Sequence, residues 1–153
     1  MMDQEETMAM AALITRRRDL LAKILKASIE QERAITEGLV EQLVARLNDK
    51  QSLIDQMRGV QEQLRPWAEL RPEERCWPDE ESRQVCRQEL HETERLQQAV
   101  LEIDARCEQV MLERRDEIFE SLNRTNGAAT IAKAYAVSAG SRSTGGSIDF
   151  SSG

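Results

Sequence analysis

The chain has 153 residues, a net charge of −7, 32% charged side chains and only 3% aromatic ones. So few rings exclude an ordinary compact enzyme core, and the apolar surface must come from Leu, Ile, Val, Ala and Met, the composition of long packed helices. The segment from residue 123 onward carries Arg124, Lys133 and Arg142 against Asp149, so the acidity is concentrated in residues 1–122. A body of that sign repels phosphate backbones and anionic lipid, so neither nucleic acid nor membrane insertion is expected.

The breakers set the elements. All three prolines (Pro66, Pro72, Pro78) and both tryptophans (Trp67, Trp77) fall between 66 and 78, leaving both flanks free to be helical. A first helix is predicted over about residues 7–64, with Asp3 and Glu6 at capping-box spacing as an alternative start. Leu21, Leu25, Ile35, Leu39, Leu43, Leu47, Ile54, Met57 and Leu64 recur along it mostly at helical steps. Gly38 and Gly59 interrupt it at about 1 kcal/mol each and mark local bends or close approaches. After a Pro/Trp corner at 66–78, Asp79 caps a second helix predicted over about 79–122, which Asn126-Gly127 ends. A short helix is expected over about 128–139, containing Ile131 and Tyr135, and a flexible Gly/Ser tail over 140–153.

The fold class is therefore all-α: a long antiparallel, coiled-coil-like hairpin spanning 1–139, with a short C-terminal helix and a loose tail. At 1.5 Å per residue the first helix would be about 87 Å long and the second about 66 Å. The mismatch strands Met8, Leu13 and Ile14, which the 128–139 helix is expected to cover. Adjacent apolar pairs at Leu20-Leu21, Ile24-Leu25, Leu39-Val40, Leu43-Val44 and Leu53-Ile54 make the stripe wider than a two-helix seam. A third element must fill the excess: the tail, a second copy in a homodimer, or a client helix.

Groups for catalysis are sparse. His91 is the single histidine, and with Cys86 it supplies at most two metal ligands. Position 88 is Gln, so no Glu-x-x-His group forms there. Cys76, Cys86 and Cys107 are an odd set without a C-x-x-C pair, which suits a reducing compartment. Residues 141–147 lack the G-K-[ST] ending of a phosphate loop. No enzyme activity, metal or cofactor is expected. Met8–Ile14 is too short for a signal core, and Lys23, Lys26 and Glu30 interrupt the run after Arg16-Arg17-Arg18, so the expected location is the cytoplasm.

Three stretches carry a resemblance: Leu47-Asn48-Asp49-Lys50-Gln51-Ser52-Leu53-Ile54, the run from Ile103-Asp104 through Arg114-Arg115, and Ala134-Tyr135 before the Gly/Ser tail. Together with the corner they resemble the FlgN family of flagellar type III export chaperones over most of residues 15–140. The resemblance implies a cytoplasmic helical protein that binds the C-terminal helical segment of hook–filament junction subunits, prevents their premature assembly and delivers them to the flagellar export gate. By position, Tyr135 matches the tail tyrosine with which the family engages the gate. Members usually carry Asn where this chain has Asp104, and Ile148-Asp149-Phe150 falls on no family motif.

A client helix is expected along the second helix and the tail helix, touching Val100, Ile103, Val110, Ile118 and Ile131, because the tail helix can move aside without unfolding the hairpin. The competing reading is a structural coiled-coil or adaptor subunit whose stripe is filled permanently by its own copy or another helical chain.

Overall fold

A computed structural model describes residues 2–123 and 130–135, all-α and without a strand among the described residues. Helix α1 spans Gln4–Glu37, α2 Val40–Ala68, α3 Glu80–Glu113 and α4 Arg115–Leu122, with a 3-10 turn at Pro72–Glu74. Residues 130–135 form a further helical segment, α5. The long helices pack against one another, α1 and α2 as an antiparallel, coiled-coil-like hairpin, with α3 as a third long helix beside α1. Glu30 pairs with Arg46 and Arg16 with Gln56, so α2 runs back along α1. Thr15 pairs with Glu89 and Ser28 with Asp104, so α3 runs parallel to α1.

The expected single helix over 7–64 is in fact α1 and α2, reversed at Gly38. That glycine sits at φ 71°, and its amide donates to the Ile35 carbonyl while the Leu39 amide reaches the Ala34 carbonyl. This is a Schellman cap, which closes a helix by placing one residue in the left-handed region that glycine enters without strain. A Cβ on Gly38 would also lie 3.3 Å from Nη2 of Arg114. Gly59 differs: it lies mid-helix, with nothing within 4 Å of an added Cβ. Gly59→Ala should therefore stabilise the fold by about 0.5–1 kcal/mol, read as a raised thermal midpoint.

The other boundaries move for local reasons. Asp3 and Glu6 form the reciprocal capping box, with bonds of 2.7 and 3.1 Å, so α1 begins at Gln4 and not near residue 7. Pro66 lies inside α2, so the corner occupies 69–79 instead of 66–78. So close to the helix end, the proline forfeits only its own bond to the Glu62 carbonyl. The helix expected over 79–122 breaks at Arg114, whose guanidinium leaves to cap α1: Nη1 donates to the Ile35 carbonyl at 2.7 Å and also to that of Thr36. A cation over a helix C-terminus satisfies orphan carbonyls and complements the dipole. Asn126-Gly127, the outer parts of the 128–139 helix and the 140–153 tail lie outside the described residues.

With the chain reversed at Gly38, α1 is about 51 Å long by its 34 residues and lies against both α2 and α3. That explains the wide stripe, because one helix supplies two faces: Leu21, Ile24 and Ile35 are all fully buried. Three apolar clusters run along the bundle. At the corner end Met10, Ile14 and Cys86 pack with Trp67, Leu70 and Trp77. Leu21, Ile24, Met57 and Val100 fill the middle, and Ile35, Leu43, Ile103, Cys107 and Ile118 the turn end. Ile14 is thus covered by the corner, while α5 serves the opposite end, where Ile131 joins the turn-end cluster. Two bonds hold the corner on α1: the Met2 amide to the Glu74 carbonyl, 3.1 Å, and the Cys76 amide to the buried Thr7 hydroxyl, 2.8 Å.

Candidate functional site

Four elements meet in a chain of polar groups above the turn-end cluster. Lys50 of α2 donates from Nζ to Oδ1 of Asp104 on α3 at 2.5 Å, and to Oε1 of Gln31 on α1 at 3.3 Å. The Ser28 hydroxyl donates to the same Asp104 oxygen at 3.1 Å. Gln31 Nε2 then donates to the Tyr135 hydroxyl at 2.9 Å, tying α5 to the body. Gln31 and Ser28 are buried, and the Lys50 side chain is only 11% exposed against 36% for Asp104. An ammonium so placed is tolerable because a carboxylate and an amide oxygen replace its water. Such a network demands one register among its helices, since a slipped turn would leave several buried groups unpaired.

Burial raises the pKa of the Tyr135 phenol, with the Gln31 bond opposing, so the ring is neutral at physiological pH. Cys107, whose thiol contacts the Ser28 carbonyl at 3.8 Å, is pushed up to about 12 by burial first and by the Asp104 charge second. An unfolded thiol ionises near 9.0, so this group's contribution to stability is complete below that pH and is lost as pH rises from 9.0 towards 12. Cys86 is likewise buried, whereas Cys76 is exposed, and all three are free. Alkylation of the native protein with iodoacetamide near pH 8 should label Cys76 alone. Cys86 and Cys107 should react only after denaturant is added, as peptide mapping would show.

The residues expected to hold a client are inside the bundle. Val100, Ile103, Ile118 and Ile131 are buried, and Val110 is partly buried against the turn-end cluster. Ile103, Val110, Ile118 and Ile131 gather at that end, while Val100 belongs to the middle cluster. They form no open stripe on the outside of α3. Tyr135 lies against the body through Gln31. Ser28 and Gln31 are not singled out by motif or spacing rules, yet the sequence holds a signal for them. They stand at helical steps between Ile24 and Ile35, where an apolar residue is the rule.

Further polar crossings fix the α1–α3 register. Thr15 donates to Glu89 at 2.5 Å, and Arg106 takes Glu32 with two bonds of 2.8 and 3.2 Å. His91 is exposed, and among the described residues no group of three His, Cys, Asp or Glu is placed to hold a metal ion. No described helix is long and apolar enough to cross a membrane. Comparison with family models, curated proteins and solved structures finds no match for this chain.

Proposed function

We propose that the protein is a cytoplasmic, non-enzymatic export chaperone that shelters an amphipathic client helix, the client being the C-terminal segment of a flagellar hook–filament junction subunit. The observation behind this reading is that the short helix α5 buries Ile131 in the turn-end cluster, where it would serve as a plug. α2 and α3 lie along α1 but scarcely approach each other at the backbone, and α5 inserts Ile131, fully buried, into the turn-end cluster. A client helix presenting apolar residues at helical spacing can take the place of α5 and reach Ile103 and Ile118. Displacement also frees Tyr135 from Gln31, which makes the tyrosine available to the export gate only when cargo is aboard. The three stretches that resemble the FlgN family support the assignment, since Lys50, Asp104 and Tyr135, one from each, meet in a single network. The alternative, an obligate coiled-coil or adaptor subunit or a permanent homodimer, fits less well, because α1 already fills the wide stripe within one chain.

The test is fluorescence anisotropy with a labelled peptide that reproduces the C-terminal helix of a junction subunit. Ile131→Ser weakens the plug, and each 1.4 kcal/mol so removed should raise client affinity about tenfold. Tyr135→Ala should retain client binding and lose gate binding. Absence of peptide binding by both the unaltered chain and Ile131→Ser overturns the reading.

A further inference from the structure

At the corner end, far from α5, the 3-10 turn and the first turns of α3 enclose an open groove of about 490 Å³, lined among others by Pro72, Arg75, Trp77, Arg83, Arg87 and Leu90. That volume lies within the range of about 300–1,000 Å³ over which pockets hold small ligands or short peptide segments. The groove carries three guanidinium groups against one carboxylate, Glu73, on a chain whose net charge is −7. The local sign is therefore opposite to that of the protein.

The three arginines are not equally engaged. Arg83 is shared with Glu80 at 3.5 Å on an exposed pair. Arg75 and Arg87 have no side-chain hydrogen bond or ion pair among the described residues, and Nε of Arg75 is buried without an acceptor. Buried donors are almost always satisfied, and Arg75 also lines the groove, so an acceptor entering there would meet a guanidinium that has no hydrogen-bond partner of its own. Cys86 also lines the groove, 3% exposed, with burial pushing its thiol up, so at neutral pH it adds no negative charge and is no nucleophile. Trp77, Pro72 and Leu90 supply an apolar wall next to the charges.

We propose that this groove binds an acidic peptide segment of a partner protein, with Arg75 and Arg87 pairing its carboxylates and Trp77 and Leu90 receiving an adjoining apolar side chain. Guanidinium groups match carboxylates with two parallel bonds, and the flat ring beside them suits an apolar neighbour. A polyphosphate is the poorer occupant, because it has no apolar group to set against Pro72, Trp77 and Leu90. The inference is independent of the export reading, since it concerns the opposite end of the bundle.

The experiment uses the full chain and a fluorescein-labelled acidic pentapeptide, Asp-Glu-Phe-Asp-Leu, followed by anisotropy. Its control is Asn-Gln-Phe-Asn-Leu, and the competitors are inorganic phosphate and ATP. Sub-millimolar binding of the acidic peptide is expected, weakening with salt, with at least tenfold weaker binding of the amide control. Arg87→Gln and Arg75→Gln should each reduce affinity tenfold or more, and Arg83→Gln about twofold. Arg87 is exposed, so its variant folds; for Arg75, Arg75→Lys keeps the charge without the fork and should still lose several-fold. The proposal is overturned if the acidic peptide fails to bind at millimolar concentration, or if both peptides bind equally. It is also overturned if Arg87→Gln binds like the unaltered chain, or if phosphate or ATP occupies the groove in preference to the peptide.

Discussion

Leu21→Ala is expected to lower the unfolding free energy by about 3–4 kcal/mol, among the largest losses available to one substitution in this chain. Leu21 is fully buried in the middle cluster, with Ile24 and Met57 also fully buried around it. The lost transfer free energy is joined by a cavity term, because α2 and α3 both lie along α1 and cannot close on the gap together. For a chain of this size each kcal/mol shifts the melting midpoint by roughly 2–4 °C, so a fall of about 10 °C is expected in a circular dichroism melt. Leu101→Ala is the matched control: Leu101 is 39% exposed, and the change should cost about 1 kcal/mol or less. Equal effects of the two substitutions would mean that α1 is not the shared core helix.

Much of this architecture was legible in the sequence, and the parts that were not have identifiable causes. The corner was legible because proline and tryptophan act locally, and Asp79 caps α3 through the Ser82 amide at 2.7 Å as its position suggests. The reversal at Gly38 was harder, because a glycine inside a helical pattern reads the same whether its neighbours continue the helix or close it. Gly59 is the proof, with the same residue and pattern but an unbroken helix around it. What separates them is tertiary: Arg114, almost eighty positions away, reaches the carbonyls at the end of α1. Treating 7–64 as one rod then misplaced everything that depends on length, including which end α5 covers. The apolar members of the candidate site stand at helical spacing, which reports burial, and Val100, Ile103, Ile118 and Ile131 are buried with Val110 partly so. The polar chain through Ser28, Gln31, Lys50 and Asp104 needs three helices in register, and no single segment reveals that.

Loss of the Asp104 carboxylate should cost more than loss of the Lys50 ammonium, although the two form one ion pair. Asp104→Ala leaves an ammonium whose side chain is 11% exposed, with Gln31 as its remaining hydrogen-bond acceptor and Ser28 without its own. An uncompensated buried charge of this kind costs about 3 kcal/mol or more. Lys50→Met keeps the apolar stem, removes the charge from the interior, and leaves a carboxylate that is 36% exposed and still bonded by Ser28. Its cost should be about 1 kcal/mol. Asp104→Asn, which brings in the residue usual in the family this chain resembles, retains an oxygen for Lys50 and Ser28 and should fall between the two. Urea titrations of the three variants, with the double variant Asp104→Ala/Lys50→Met closing the cycle, decide the matter. The double variant should recover much of the loss seen in Asp104→Ala, because the ammonium that was stranded is gone. If Asp104→Ala and Lys50→Met prove equally mild, the pair is solvated and cannot set the helix register. In that case α5 would still be held on the body by the Gln31–Tyr135 bond and by Ile131 in the turn-end cluster.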